Sequence, residues 1–151
     1  MKILSLVIGL CVMASTGYAK EEAYIGFMKK DVTVVKKGII ATVMNFTDGE
    51  AAVFWPVYKN YQLELDKLND SRHELLQEYK AIRGSLSEEM AEVMVTQSFD
   101  LTERELQLKR KYHKKFNEVI FPSRVAKFFR IEHQVGLMVQ LQIASRLRLI
   151  R

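Results

Sequence analysis

Three histidines, His73, His113 and His133, are the first residues in this chain to test for chemistry. None has a second histidine or a cysteine at metal-ligand spacing. Glu74 follows His73 and Glu132 precedes His133, but adjacent residues on a helix do not face one way. A metal site would need distant parts of the chain to converge. No phosphate-binding loop, dinucleotide glycine pattern, GxSxG elbow or HExxH pair is present. Serines and aspartates occur without anything that marks a nucleophile. The glutamates of the long helical segments read more simply as solvated faces than as acid/base pairs. The reading is a chain that is not an enzyme and needs no cofactor and no bound metal.

The cations say more. Lys20 to Glu103 carries 10 basic and 15 acidic residues, whereas Arg104 to Arg151 carries 12 and 3. Lys109, Arg110 and Lys111 with Lys114 and Lys115 form the densest cluster, and Arg124, Lys127 and Arg130 follow at helical spacing. These eight residues form a candidate partner-binding basic face, since such a field attracts anionic partners. The partners it predicts are an unfolded or acidic polypeptide, an envelope protein, or the anionic surface of a membrane. The plainer reading is a solvated face balanced by the acidic half, across a homodimer contact.

Elements must position these charges, and composition bounds what they are. The chain has 151 residues, 48% hydrophobic and 27% charged, with a net charge of +5, two prolines and one cysteine. That length fits one domain. A single cysteine excludes a disulfide scaffold. Residues 1–19 have the form of a secretory leader: Lys2, an apolar run from Ile3 to Ala14, then small residues at Gly17 and Ala19. Cleavage after Ala19 leaves 20–151 as a single helical domain. Cys11 leaves with the leader, so the exported chain has no thiol. Export makes nucleic acid an unsuitable partner despite the basic pI.

The exported part reads as all-α, with four helices. Phe54, Tyr58, Tyr61, Leu65, Leu68, Leu75, Tyr79 and Ile82 recur at steps of three and four, with Arg72 in the one polar slot. Thr47 and Glu50 fit a capping box before this helix, with Phe46 placed to staple onto its first turn. Pro56 predicts a kink. Gly84 ends the helix, and Ser85 with Glu88 suggests a second capping box. The next stripe runs Met90, Met94, Gln97, Leu101, Glu105, Leu108, Tyr112, Phe116 and Val119. The short link predicts a long antiparallel hairpin, in an extended or shallow bundle. Phe121-Pro122-Ser123 breaks the pattern before a last helix that buries Val125, Phe128, Phe129, Ile131, Val135 and Met138. Upstream, Met28, Val32, Val35, Ile39 and Val43 suggest a first helix with Lys36 and Lys37 on its other side. The run Val32-Thr33-Val34-Val35 pulls toward strand, but no partner strand is evident. Phe54, Trp55, Tyr58 and Tyr61 read as core, with Trp55 the more exposed. Met90, Met94 and Met138 suit either core filling or an adaptable binding surface.

The leader, the helical remainder and the Thr-x-x-Glu helix start together resemble the Spy/CpxP-related periplasmic proteins, which carry an LTxxQ motif at helix starts. Phe46-Thr47-Asp48-Gly49-Glu50 is similar to it, with Phe for Leu and Glu for Gln. The second copy would fall at Phe121-Pro122-Ser123-Arg124-Val125, where the letters differ. Leu101-Thr102-Glu103-Arg104-Glu105 matches better but lies within a helix. Phe54-Trp55-Pro56-Val57-Tyr58, with Tyr61 and Leu68-Asn69-Asp70, is similar to a proteobacterial group of uncharacterised exported helical proteins. The resemblance covers residues 44–142. It implies a periplasmic, dimeric, ATP-independent chaperone-like or envelope-stress-sensing protein whose basic face holds clients. A structural or adaptor protein docking one envelope partner, and a metal-responsive sensor, are the alternatives.

Overall fold

The computed structural model describes residues 33–82 and 84–146. The leader, Met28, Val32 and the last five residues lie outside them. The described chain is all-α. Residues 33–44 form α1, followed by α2 (Asp48–Ile82), α3 (Glu88–Asn117) and α4 (Pro122–Arg146). None of these helices is long and apolar enough to cross a membrane. The chain divides into two compact units, Phe46–Lys127 and the residues on either side of it, with the boundary falling inside α4.

The helix starts follow local chemistry. Ahead of α2, the Thr47 amide donates to Glu50 Oε2 at 3.0 Å and the Glu50 amide donates to Thr47 Oγ1 at 3.3 Å. This reciprocal pair satisfies amide donors that the first turn leaves without helical acceptors. Phe46 reaches beyond the first turn, its ring 4.5 Å from that of Phe54 and 6.2 Å from that of Trp55. α2 continues through Pro56 as one helix. The cap of α3 is Ser87, whose hydroxyl accepts from the Met90 amide at 3.2 Å. Ser85 instead donates back to the Ile82 carbonyl through its amide and hydroxyl, so the expected Ser85–Glu88 box does not form. α4 opens on Pro122, a first-turn position where the missing amide costs no helical bond.

In the central unit, α2 and α3 meet along an aromatic seam. Phe54 stacks on Phe116 with ring centroids 5.1 Å apart, and Tyr61 lies against Tyr112 at 5.3 Å. Leu65 and Leu68 on α2 and Leu101 and Leu108 on α3 are also buried. Arg72 reaches Glu105 and the Leu101 carbonyl, whereas Glu64 reaches Lys111. Partners descend on α2 as they ascend on α3, so the two helices run in opposite directions. The polar positions of the two stripes, Arg72 and Glu105, are partners of each other. Trp55 is half-buried beside Phe54 and Tyr58.

The other unit contains α1 and α4 from Phe128 onward. Asn45 follows α1 with φ 46, a left-handed conformation that asparagine tolerates, and its amide closes onto the Ala41 carbonyl. The buried stripe of α1 is Lys36, Ile40 and Met44; Val35 and Val43 are exposed. It therefore lies one residue along from the expected Val35, Ile39 and Val43. The reason is Lys36, whose ammonium is buried against the Glu132 carboxylate of α4. A reading that places every lysine outward cannot find that register. Phe128, Ile131 and Val135 are buried as expected, whereas Met138 is 67% exposed.

Two outcomes follow for stability. Phe116→Ala removes a fully buried ring from the seam and should cost about 3–5 kcal/mol, whereas Phe99→Ala, at a 70% exposed position, should leave the melting temperature nearly unchanged. Glu132→Leu alone removes the carboxylate that the buried Lys36 ammonium meets and should cost about 3–5 kcal/mol. Lys36→Met added to it should recover most of that loss in denaturant titrations, because an apolar pair has no ion left to desolvate.

Candidate functional site

The aromatic seam does not extend to the far end of the hairpin. On α2 the last buried residue is Leu68, and on α3 the first is Leu101. Leu75, Tyr79 and Ile82 continue the α2 stripe in register but are only half-buried. Near its base α3 buries Tyr112 and Phe116, whereas toward the link Ala91 and Met94 are half-buried and Val95 and Ser98 exposed. The result is a groove of about 430 Å³. Arg72, Leu75, Leu76 and Tyr79 line one wall; Ala91, Met94, Val95 and Ser98 line the other; Leu86 closes the link end.

Apolar surface continues outside the groove. Val95 on the wall is 49% exposed, and beyond it Phe99 is 70% and Met90 40% exposed. Arg72 is the groove's cation, and its charge is directed inward. Its guanidinium lies 2.6 Å from Glu105, which also accepts from Lys109. Burial pushes the Glu105 carboxyl up, but Lys109 and Arg72 together outweigh it and hold the group below its ordinary value of 4.5.

The expected basic residues that fall in the central unit do not share one exposed face. Lys109 and Lys111 are two residues apart, about 200° around the helix, and lie on opposite flanks of the seam. Lys111 donates to both Glu64 oxygens, at 2.8 and 2.7 Å, and Tyr112 donates to the same carboxylate at 2.8 Å. Lys111 and Lys115 both lie over the Tyr112 ring, 5.4 and 4.9 Å from its centroid. Arg124 grips Glu50 with two bonds, Nε to Oε1 at 3.0 Å and Nη2 to Oε2 at 2.7 Å, and covers the Phe46 ring. Arg110 and Lys114 are exposed on the outer side of α3. Lys127 is exposed on α4, and Arg130 falls in the other unit. Lys114 and Lys115 also occupy the last turn of α3, where cations stabilise the helix dipole, opposite Glu88 and Glu89 in its first turn.

Three carboxylates therefore hold cations across or along the helices. The Thr47 amide, then Arg124, lowers the Glu50 pKa; a hydrogen bond from Lys111, then the Tyr112 hydroxyl, lowers that of Glu64. Burial and, after it, Glu64 push Tyr112 up to about 12.

His73 meets Gln77, and His113 meets Asn117, one turn along their own helices. Among the described residues no group of three His, Cys, Asp or Glu side chains is gathered to hold a metal. Compared with protein-family models, curated proteins and solved structures, the chain matches none.

The depressed carboxylates set the direction of the acid response. A group whose pKa is lower folded than unfolded contributes stability that is complete above its ordinary value and is lost as pH falls through the folded value. Stability should hold above about pH 5 and fall toward about pH 3. The triple variant Glu50→Gln, Glu64→Gln, Glu105→Gln should show a shallower fall. Denaturant midpoints at the two pH values measure the difference.

Proposed function

We propose that this chain is an exported, periplasmic polypeptide-binding protein, acting without nucleotide in a chaperone-like or stress-sensing role. The observation that carries the reading is the apolar groove between the far halves of α2 and α3, where two matching stripes run on without burying each other. A groove bordered by half-covered Leu, Tyr, Met and Val side chains gains from any segment that brings apolar surface to it, at about 25 cal/mol for each Å² removed from water. Met94 suits varied partners because an unbranched thioether side chain adapts its shape. The leader-like first 19 residues and the resemblance to Spy/CpxP-related proteins support the same compartment and role.

Weak, reversible holding is what such a protein requires, since release has no nucleotide cycle to drive it. The open groove fits that requirement better than the basic cluster, where Lys109, Lys111 and Arg124 already hold Glu105, Glu64 and Glu50.

Suppression of aggregation tests the reading. Denatured lactate dehydrogenase diluted into buffer with the protein in stoichiometric excess should scatter less light than without it. Leu76→Asp with Val95→Asp should abolish the protection while leaving the helical circular dichroism intact. Arg110→Glu with Lys114→Glu should retain it. No protection by the wild type removes the reading. Loss in the Arg110/Lys114 variant alone transfers binding to the outer cations and removes the groove from it.

A further inference from the structure

α3 has a second apolar face. Val95, Phe99, Thr102 and Leu106 recur at steps of four, three and four. At about 100° per residue they share one side of the helix, about a third of a turn from buried Leu101, Leu108 and Tyr112. All four are exposed. The Thr102 hydroxyl donates to the Ser98 carbonyl at 2.9 Å, so its polar group is satisfied within the helix. Charge of opposite sign stands at the two ends of this face. Glu88 and Glu92 precede it, Arg110 and Lys114 follow it, and all four are exposed. Arg110 comes five whole turns of about 3.6 residues after Glu92, so the two project on one line. The same count sets Glu88 in line with Leu106. Residues 88–102 carry four carboxylates and no cation, whereas residues 103–117 carry six cations and two carboxylates. Charges in the first and last turns answer the helix dipole, but Glu92 and Arg110 stand outside those turns.

We propose that this face of α3 pairs with the same face of a second copy of the chain, the two α3 helices running antiparallel about a two-fold axis near the middle of the helix. A two-fold contact needs a surface complementary to itself. An order of acid, apolar and basic residues along one helix meets that need when the second copy runs the other way. One register satisfies every pair. It sets Glu92 against Arg110 of the partner subunit and Glu88 against Lys114 of the partner subunit. It sets Val95 against the partner's Leu106, and Phe99 against the partner's Thr102, whose small side chain leaves room for a ring. In each pair the two positions lie equally far from Leu101, within one residue. Symmetry makes each pair twice. Glu103, on the same flank as Glu92, falls opposite the partner's Phe99 and not opposite a carboxylate. Parallel pairing would instead set acid on acid at one end and cation on cation at the other, a juxtaposition that interfaces avoid. Lys109 and Lys111 hold Glu105 and Glu64 beside the seam; Arg110 and Lys114, on the outer side, are the cations of that cluster that reach this face. The inference does not depend on what the groove holds. A contact made by one helix of each copy is smaller than that of an obligate dimer, so the pair dissociates on dilution. Melting at sub-micromolar concentration then reads the single copy, in which Phe99→Ala is neutral.

Light scattering from the full exported chain tests the pairing. It should report a doubled mass at about 100 μM and a single mass below about 1 μM, as mass action requires of a modest contact. Leu106→Asp should give the single mass at both concentrations with the helical circular dichroism unchanged. Charge reversal tests direction and register. Glu88→Lys with Glu92→Lys should weaken the pairing at least about thirtyfold, as the loss of four rim pairs implies. Arg110→Glu with Lys114→Glu should do the same. Mixed in equal amounts, these two variants should again give a doubled mass, because every reversed charge then meets its opposite in the antiparallel register. A single mass for the wild type at the higher concentration overturns the inference. A doubled mass that survives both Leu106→Asp and the charge reversals puts the contact elsewhere and also overturns it. So does a mixture of the two charge variants that stays single, because the register proposed here then fails.

Discussion

An apolar stripe on a helix needs something to lie against along its whole length, and a helix pair supplies only as much cover as its facing side chains can fill. α2 carries its stripe from Phe54 to Ile82, but the buried residues of α3 begin only at Leu101. Where Tyr112 and Phe116 oppose Phe54 and Tyr61, the rings interlock and water is excluded. Where Leu75, Leu76 and Tyr79 share a groove with Ala91, Met94, Val95 and Ser98, the cover is incomplete. One hairpin thus has a well-covered half and a half-covered one.

Charge is arranged around the same seam. Glu50, Glu64 and Glu105 take Arg124, Lys111 and Arg72 from other helices, and these pairs fall along the hairpin in antiparallel order. Glu50 has a double duty, since the carboxylate that caps α2 also receives the guanidinium of Arg124. With Lys109, which also holds Glu105, three of the twelve cations from Arg104 onward are engaged with carboxylates of this chain. From Asp70 to Glu103 the sequence carries eight carboxylates against three cations, although the whole chain is basic.

The resemblance to Spy/CpxP-related proteins and the groove bear on different parts of the functional argument. The motif at Phe46–Glu50 is a capping box with a local physical cause, and any helix start profits from one. It therefore says more about where α2 begins than about what the chain binds. The groove is apolar area left uncovered, and the proposed binding rests on it. Both are compatible with reversible holding of polypeptide segments.

Short-range physics was legible in the residues. The helical class, the capping box at Thr47, the break before Pro122 and the buried faces of Phe54, Tyr58 and Tyr61 all follow from interactions within a few positions along the chain. The Ser87 cap was missed because two serines stand close together and only the path of the turn selects between them. Three other features needed the tertiary structure. Lys36 is buried because Glu132, 96 residues away, meets it, and that shifts the register of α1 by one residue. The cations of α3 divide between two flanks because Glu64 and Glu105 are placed on different sides of the seam. The groove between the far halves of α2 and α3 shows only once the two stripes face each other. Periodicity determines which side of a helix is apolar; how well that side is covered depends on the size and charge of whatever the fold sets opposite.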